Sequence, residues 1–425
     1  MGQTVFIPRE TVGDESRVAA SPDTVKRMAA LGLDVIVESG AGKSSRIMDA
    51  EYQAAGATIG KTADAGKADV VLKVRRPTGA ELKSYGKGAI VIATMDPYGN
   101  EGDVQAMAKA GVTAFAMEFM PRITRAQSMD VLSSQANLAG YQAVIDAASE
   151  YDRALPMMMT AAGTVPAAKV FVMGVGVAGL QAIATAKRLG AVVTATDVRP
   201  AVKEQVQSLG AKFLAVEDEE FKAAETAGGY AKEMSKEYQA KQAQLTADHI
   251  AKQDIVITTA LIPGRPAPRL VSAQMVKSMR PGSIIVDLAV ERGGNVEGAV
   301  AGRVVVSDNG VKIVGHLNMP GRIAASASLL YAKNLYTFLE TMVDKETKKI
   351  ALNREDELVK ATMLTDGGAV VHPNFANAAS SKNDGEASKG RAATKTATPK
   401  KAADTKAATG KTPAKKAPAR PKGGA

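Results

Sequence analysis

Three glycines at positions 174, 176 and 179 follow a short apolar run and precede a segment with helical periodicity. Gly174 permits a tight turn, Gly176 leaves room for a phosphate to approach the backbone, and Gly179 lets the helix pack closely on the strand. The first turn of such a helix presents unpaired N–H groups that attract phosphate. This glycine turn therefore predicts a site for the pyrophosphate of a dinucleotide.

An acidic residue follows the glycine turn at the spacing that nucleotide recognition needs. The next apolar run, residues 192–196, ends in Asp197, about 20 residues beyond the turn. A carboxylate there accepts hydrogen bonds from the adenosine ribose and repels the 2′-phosphate that distinguishes NADP. The sequence therefore predicts NAD as the cofactor, whereas a glycine-rich turn in another kind of βαβ unit is the alternative.

Polar side chains are also concentrated in residues 122–133, ahead of a helix predicted for residues 134–151. This helix has apolar residues at helical spacing and connects the two halves of the chain. A polar cluster where two domains meet favours a ligand-binding cleft, and the alternative is a solvated loop that caps the helix. The members of the cluster are Arg122, Arg125, Gln127, Asp130 and Ser133.

The segment between residues 216 and 255 is longer than the crossover between two parallel strands requires. Gly228 and Gly229 precede Tyr230 near its centre, which combines a flexible pivot with an aromatic ring. This composition predicts a mobile loop, placed near residues 217–247, that acts as a flap. A helix–turn–helix insertion that only packs is the alternative.

Composition removes several classes of chemistry. The 425 residues include no cysteine, which excludes disulfides, thiolate catalysis and cysteine metal sites. The three histidines are scattered, so we predict no metal site. The net charge of +10 is typical of nucleic-acid binders, but residues 380–425 carry ten Lys, two Arg and three acidic residues, and hence +9 of it. The remainder is nearly neutral, so bulk charge does not indicate a nucleic-acid-binding globular domain.

The C-terminal segment, residues 378–425, contains no large apolar side chain. Burial cannot offset the entropy cost of ordering such a segment, so we predict a disordered basic tail. Its lysine-rich repeats suit anionic lipid or nucleic acid, and a solvated tail with no specific partner is the alternative.

Strands alternating with helices run through both halves and predict an α/β fold with two doubly wound, Rossmann-like domains and mostly parallel sheets. We place the first domain at residues 1–138, completed by residues 322–377, which fold back onto it. The NAD-binding domain takes residues 139–321. Two uncharged stretches, residues 154–168 and 170–186, are shorter than a membrane span, so we predict that both are buried core.

Several stretches carry more than a generic dinucleotide-binding pattern. Residues 5–375 resemble the NAD-binding alpha component of proton-translocating NAD(P) transhydrogenases, a family distantly related to alanine dehydrogenases, and the tail is not covered by the resemblance. The matching motifs are RAQSMDVLSSQANLAGYQAVIDAA, PMMMTAAGTVPAAKVFVMGVGVAGLQAIATAKRLGA, TAGGYAKEM and TTALIPGRPAP.

The resemblance implies a role for each of the matching polar and glycine residues. The nicotinamide end of the cofactor would contact Gln127, Ser128, Met129 and Asp130, flanked by Arg122 and Ser133. The pyrophosphate and adenosine ribose would be held by Gly174, Gly176, Val177, Gly179, Asp197, Val198 and Arg199. The rest of the site would be lined by Gly229, Gln242 and Leu261, with Tyr230 closing over the cofactor.

The same resemblance implies an enzyme that passes hydride directly between NAD(H) bound here and NADP(H) on a partner subunit, coupled to proton translocation. Hydride transfer between two carbon atoms needs no obligatory acid or base, so the catalytic residues would act by placement and by excluding water. No histidine lies near them in sequence. They are Arg122, Gln127, Asp130, Ser133 and Tyr230.

The implied partners are a membrane-spanning transhydrogenase subunit and an NADP-binding beta subunit, and the resemblance also implies a homodimer. Because the sequence shows no membrane span of its own, we expect a cytoplasmic chain held peripherally on the inner membrane through those subunits.

Two other functions compete with this interpretation. Arg17 and Lys73 resemble substrate-binding positions of alanine dehydrogenases, but that family places a histidine where this chain has Asp96 and its neighbours. Oxidative deamination needs a proton acceptor, so this replacement disfavours it. A non-enzymatic NAD-binding protein with a polyanion-binding tail is the second alternative. Ser326 and Arg292 depart from the expected transhydrogenase pattern near the domain junction.

Overall fold

The computed structural model of the chain describes residues 2–223 and 234–380. Helices and strands alternate along most of this length, as an α/β fold requires. The strands are β1 (Thr4–Ile7), β2 (Asp34–Glu38), β3 (Thr58–Gly60), β4 (Val70–Arg75), β5 (Ile90–Thr94), β6 (Thr113–Ala116), β7 (Met158–Thr160), β8 (Gly163–Val165), β9 (Lys169–Met173), β10 (Val192–Thr196), β11 (Lys212–Phe213), β12 (Ile255–Thr258), β13 (Ile284–Asp287), β14 (Arg303–Val306), β15 (Lys312–Gly315), β16 (Met363–Asp366) and β17 (Ala369–Val370). The α-helices are α1 (Pro22–Ala30), α2 (Asp49–Ala54), α3 (Gly79–Leu82), α4 (Glu101–Ala110), α5 (Val131–Glu150), α6 (Val177–Arg188), α7 (Val202–Ser208), α8 (Glu219–Lys222), α9 (Lys236–Ile250), α10 (Ala273–Ser278), α11 (Ala324–Glu340), α12 (Glu357–Thr362) and α13 (Pro373–Ser380).

Eight strands form the first sheet, in the order β17-β16-β6-β5-β4-β1-β2-β3. The pairs among β1 to β6 are parallel, whereas β16 pairs antiparallel with both β6 and β17. Because β16 lies beside β6, strands from both ends of the described chain complete this sheet.

Seven strands form the second sheet, in the order β11-β10-β9-β12-β13-β15-β14. Only the β14–β15 pair is antiparallel among its neighbouring pairs. Their apolar side chains are buried under helices on both faces, which is why these strands read as continuous apolar runs. The two parallel-rich, Rossmann-like sheets confirm the predicted fold class.

The long helix α5 joins the two sheets and packs on α6 and α11. It begins earlier than the predicted residue 134, because the Asp130 carboxylate accepts a hydrogen bond of 2.9 Å from the amide of Ser133 and caps the helix. Gly140 lies at the crossing with α6, where a Cβ atom would stand 2.0 Å from the carbonyl oxygen of Ala178. The contact requires glycine, and it couples α5 to the first turn of α6.

The uncharged stretch 154–168 is not buried core, and the prediction for it was wrong. Strands β7 and β8 form an isolated antiparallel hairpin whose residues are exposed, with Met157 at 61% and Met159 at 77% of full exposure. The turn at residues 161–162 forces the chain back on itself, so the apolar residues cannot enter the sheet as one strand. The second stretch, residues 170–186, supplies β9 and most of α6 as expected.

Within residues 2–223 and 234–380, no α-helix combines the length and the apolar character that a membrane crossing needs.

Candidate functional site

A cavity of about 800 Å³ lies between the two sheets, with α5 as one of its walls. Such a position, at the carboxyl ends of parallel strands, is where open α/β sheets bind ligands. From the first sheet and α5 its lining includes Arg17, Arg75, Arg76, Asp96, Val131 and Gln135. From the second sheet it includes Gly176, Val177, Thr259, Leu261, Glu291, Arg292, His316 and Asn318.

The glycine turn between β9 and α6 faces this cavity. Gly174 has a φ of +99°, and a Cβ there would lie 2.6 Å from the Thr259 hydroxyl. A Cβ on Gly179 would lie 1.9 Å from the carbonyl oxygen of Gly174, so only glycine allows the helix to approach. Gly176 meets no heavy atom within 4 Å at its Cβ position and caps α6 without a side-chain hydrogen bond. The exposed Gly176 thus leaves space and free N–H groups where a phosphate can bind.

Asp197 lies beside the glycine turn at the end of β10. Its Oδ2 accepts a hydrogen bond of 2.7 Å from the amide of Val175, which joins the acid to the turn. Arg199 donates to both carboxylate oxygens through its backbone amide (2.9 Å), Nε (2.9 Å) and Nη2 (3.0 Å). The four acceptor positions of the carboxylate are therefore filled, and a ribose hydroxyl would have to share them with Arg199 or displace it. Val198, between them, is exposed.

The polar cluster of residues 122–133 forms a 3₁₀ turn, Thr124–Met129, that leads into α5. Asp130 and Ser133 are brought together, because the Ser133 hydroxyl donates to Asp130 Oδ2 over 2.5 Å in addition to the capping bond. Arg125 instead forms a bidentate ion pair with Asp356, with both distances at 2.8 Å. Of the cluster, the helix that follows Asp130 reaches the cavity directly, through Val131 and Gln135.

The remaining members of this segment differ in what they expose. Arg122, Gln127 and Ser128 are exposed, and the Ser128 carbonyl accepts a hydrogen bond of 2.7 Å from Asn334 of α11. Met129 is only 3% exposed and packs in the core of the first sheet. Its side chain stabilises the segment, so that any contact of Met129 with a cofactor falls to its backbone.

A buried ion cluster forms the floor of the cavity on the side of the first sheet. Glu15 accepts two hydrogen bonds of 2.7 Å from the Arg17 guanidinium and one of 2.8 Å from Arg75. Burial alone would raise the pKa of the Glu15 carboxyl, but the hydrogen bond and charge of Arg17, with the charge of Arg75, lower that pKa to about 2. Arg17 also donates to Gln135 of α5 over 2.8 Å. The cluster is therefore ionised at neutral pH and ties the first sheet to α5.

Lys73 lies beneath this floor and is 1% exposed. Its ammonium group is 3.2 Å from Glu10 and 2.7 Å from Glu81. Burial lowers the pKa of Lys73, but the charges of Glu10 and Glu81 outweigh it and raise that pKa overall. Lys73 is thus held by internal carboxylates.

Sequence reasoning missed several residues of the cavity. Asp96 follows β5, Glu291 and Arg292 follow β13, and His316 and Asn318 follow β15, so all stand at the carboxyl ends of strands. That position was the available signal. Although no histidine is near the predicted site residues in sequence, the fold brings His316 into the lining, where it is half-buried. Burial, with the charge of Arg322, lowers the pKa of His316.

The loop that begins at Leu261 is fixed by Asn295. Asn295 is completely buried, accepts a hydrogen bond of 3.1 Å from the amide of Ala260, and donates to the carbonyls of Ala260 (2.9 Å) and Pro268 (2.8 Å). This anchoring leaves Leu261 53% exposed at the cavity. Gln242 lies across the end of β10, where it accepts from the amide of Val216 and donates to Thr196.

Two of the predicted site residues, Gly229 and Tyr230, lie outside the described residues, as does most of the tail. The described parts of the long segment are α8, α9 and their flanks, in which Phe221 and Tyr238 stack with ring centroids 6.3 Å apart.

Two family models match the chain, namely the alanine dehydrogenase/PNT N-terminal domain over residues 6–139 and the C-terminal domain over residues 143–373. The first portion of the NAD(P) transhydrogenase subunit alpha of Rhodospirillum rubrum is 57% identical over 376 residues, which are 87% of this chain and 98% of the relative. An alanine dehydrogenase of Mycobacterium tuberculosis is 32% identical over 300 residues, which are 69% of this chain and 74% of the relative. Among solved structures, the transhydrogenase of Sinorhizobium meliloti is 70% identical with a TM-score of 0.80, and the match covers 87% of this chain and all of that one.

Proposed function

The chain belongs to the alanine dehydrogenase/PNT family, and we propose that it is the NAD(H)-binding subunit of a proton-translocating NAD(P) transhydrogenase. One observation carries most of the proposal: the amino terminus of α6 opens at Gly176 onto the cavity, where a dinucleotide pyrophosphate fits the free N–H groups. The relatives named NAD(P) transhydrogenase subunit alpha support it, because the match extends over nearly the whole of the Rhodospirillum rubrum chain.

Asp197 supports NAD(H) rather than NADP(H) at this site. Its carboxylate stands next to the glycine turn, where it favours ribose hydroxyls and disfavours a 2′-phosphate. Arg199 neutralises part of that charge, so the discrimination depends on how far Arg199 moves when the ribose binds. Val198 and Leu261 offer exposed apolar surface on either side of the turn.

The proposed reaction is direct hydride transfer between NAD(H) bound here and NADP(H) held by a partner subunit. The nicotinamide supplies the hydride chemistry when it is bound. The chain orients the ring through the segment around Gln127 and Asp130 and excludes water, with Arg122 and Ser133 flanking. The Asp130–Ser133 hydrogen bonds support this role, because they hold the segment in one conformation. Tyr230 would complete the enclosure.

The proposed partners are a membrane-spanning subunit and an NADP-binding beta subunit, with the chain peripheral on the cytoplasmic face of the inner membrane. The name "subunit" in the relatives supports such an assembly. The exposed hairpin of β7 and β8, with its apolar side chains, supports a homodimer, because a second copy would remove that surface from water. The net charge of +9 in residues 380–425 supports a contact of the tail with an anionic lipid surface.

The buried ion pairs argue against an alanine dehydrogenase-like activity. Arg17 is engaged by Glu15 and Gln135, and Lys73 by Glu10 and Glu81, so a substrate carboxylate would have to replace internal partners. Asp96 occupies the strand end where that family places a histidine, and a carboxylate accepts a proton less readily than an imidazole at neutral pH.

The proposal is tested by calorimetric titration of the full chain with NADH and NADPH, followed by a hydride-exchange assay with its NADP-binding partner subunit. We expect NADH to bind more tightly than NADPH and exchange to depend on the partner. Equal or tighter binding of NADPH contradicts the cofactor assignment, and oxidation of alanine by the chain alone contradicts the reaction.

A further inference from the structure

Asp96 and Arg292 form an ion pair that crosses the cavity from one sheet to the other. Arg292 Nη2 donates to Asp96 Oδ1, and the two side chains are 45% and 38% exposed, Arg292 being the more exposed. Asp96 follows β5 of the first sheet and Arg292 follows β13 of the second, and both line the cavity. The pair therefore joins the two walls between which a dinucleotide would lie.

The turn that carries Asp96 is fixed by its own sheet. Asp96 has a φ of +47°, a left-handed conformation that is uncommon for a residue other than glycine. The Glu118 carboxylate holds it there by accepting hydrogen bonds from the amides of Met95 (3.0 Å) and Asp96. Arg76 donates to the carbonyl of Met95, and Asn100 to that of Asp96 over 2.9 Å. The backbone is thus constrained so that the Asp96 carboxylate points into the cavity.

Arg76 is the other cation near Asp96, with an Nη1 to Oδ2 distance of 3.7 Å. Its Nε, however, is only 2.8 Å from Asp103, and its Nη2 donates to Asn100 over 2.8 Å. Arg76 therefore belongs mainly to the first sheet, where it braces the Asp96 turn. This leaves Arg292 as the cation that links Asp96 to the second sheet.

The backbone of Arg292 is also constrained. It closes the short 3₁₀ turn Val290–Arg292, and its amide donates to Ala289 over 2.8 Å. Its carbonyl accepts a hydrogen bond of 2.8 Å from Ala267, in the loop that also carries Leu261. Gly293 and Gly294 follow with positive φ, which lets the chain turn back immediately. A change in the position of Arg292 is thus passed to the loop that lines the cofactor site.

From these contacts we propose that Asp96 and Arg292 are a positioning pair, which fixes the separation of the two cavity walls and so places the nicotinamide ring for hydride transfer. The inference rests on the proposed transhydrogenase function. An ordinary ion pair this exposed contributes little to stability, because solvent screens it and the side chains lose entropy. Here the backbone constraints on both partners lower that entropy cost, and the pair acts on geometry, to which hydride transfer is sensitive at the scale of an ångström.

The test compares Asp96→Asn, Arg292→Gln and the double variant with the full wild-type chain. Asparagine tolerates the left-handed conformation, so Asp96→Asn removes the charge and keeps the turn. We expect each single variant to lower kcat for hydride exchange with the NADP-binding partner about tenfold. We expect the Kd for NADH to change less than about threefold, and the double variant to be no slower than either single one. Arg292→Lys should recover part of the rate.

The matched control is Arg354→Gln, which breaks an ion pair of 2.7 Å with Asp366 that lies within the first sheet and away from the cavity. We expect this variant to exchange hydride at the wild-type rate. Wild-type rates in both Asp96→Asn and Arg292→Gln, or additive losses in the double variant, overturn the positioning pair but leave the proposed function intact. Absence of NADH binding by the wild-type chain would instead overturn the proposed function, so the two failures are separable.

Discussion

Gly140 of α5 and Ala178 of α6 are in backbone contact, so that a single methyl group at position 140 would overlap the carbonyl oxygen of Ala178. Ala178 belongs to the first turn of α6, immediately after Gly176 and Val177 at the cavity. The interdomain helix and the candidate phosphate site are therefore a single packed unit, in which displacement of one displaces the other.

Gly140→Ala is expected to weaken NADH binding about tenfold or more, because the added methyl must push the α6 amino terminus away from its position. Calorimetric titration measures this loss. Gly102→Ala is the control, since Gly102 lies within α4 and its Cβ position meets no atom within 4 Å. That substitution should leave binding unchanged and raise helix stability slightly. Equal binding by Gly140→Ala and wild type would contradict the proposed coupling.

Asp197→Asn is expected to weaken NADH binding about tenfold and NADPH binding less, because a charge that repels the 2′-phosphate is lost together with acceptors for the ribose. The ratio of the two Kd values is the measurement. Asp254→Asn is a suitable control, because Asp254 also accepts a backbone hydrogen bond of 2.8 Å, from Lys169, but at the amino end of β9. An unchanged ratio in Asp197→Asn would remove this residue from cofactor selection.

Glu15 makes stability depend on pH in a defined window. Since the folded-state pKa is lowered to about 2 from an ordinary value of 4.5, its stabilising contribution is present above pH 4.5 and is lost as the pH falls toward 2. Glu15→Gln should cost about 3 kcal/mol in the free energy of unfolding at pH 7, because Arg17 and Arg75 keep their charges without a partner. Urea unfolding at pH 7 and at pH 3 measures both effects.

The difference between Glu15→Gln and wild type should shrink at the lower pH, as wild-type Glu15 becomes protonated. Glu237→Gln, which breaks an exposed pair with Lys241, is expected to change little at either pH. A difference that grows on acidification would show that the sign of this linkage is wrong.

Asp130 combines a structural and a proposed catalytic role, which two substitutions separate. Asp130→Ala removes the cap of α5 and should cost about 1 kcal/mol of stability in addition to slowing hydride exchange. Asp130→Ser retains a capping oxygen, so it should recover the stability but not the rate. Thermal unfolding and exchange kinetics with the partner subunit give the two values. Full activity in Asp130→Ser would limit Asp130 to capping the helix.

The glycine turn and the strands around it could be predicted because local rules determine them. Gly174 and Gly179 are required by contacts within one βαβ unit, and Asp197 follows at the end of the adjacent strand. The exposed hairpin could not be predicted from its apolar composition, because Met158 and Met159 read as core residues when no partner surface is visible in the sequence. The Asp96–Arg292 pair was also out of reach, since it joins residues 196 positions apart that each looked like a local departure from a pattern.

The position of β16 between β6 and β17 has a consequence for biosynthesis. The second sheet uses strands from the contiguous stretch between Lys169 and Gly315, so all of its members are available before translation ends. The first sheet has to wait at its β6 edge until Met363–Asp366 has been made, although six of its strands were the first to emerge. The nascent chain therefore carries an open strand edge for most of its synthesis, and its nucleotide-binding half is the part able to mature first.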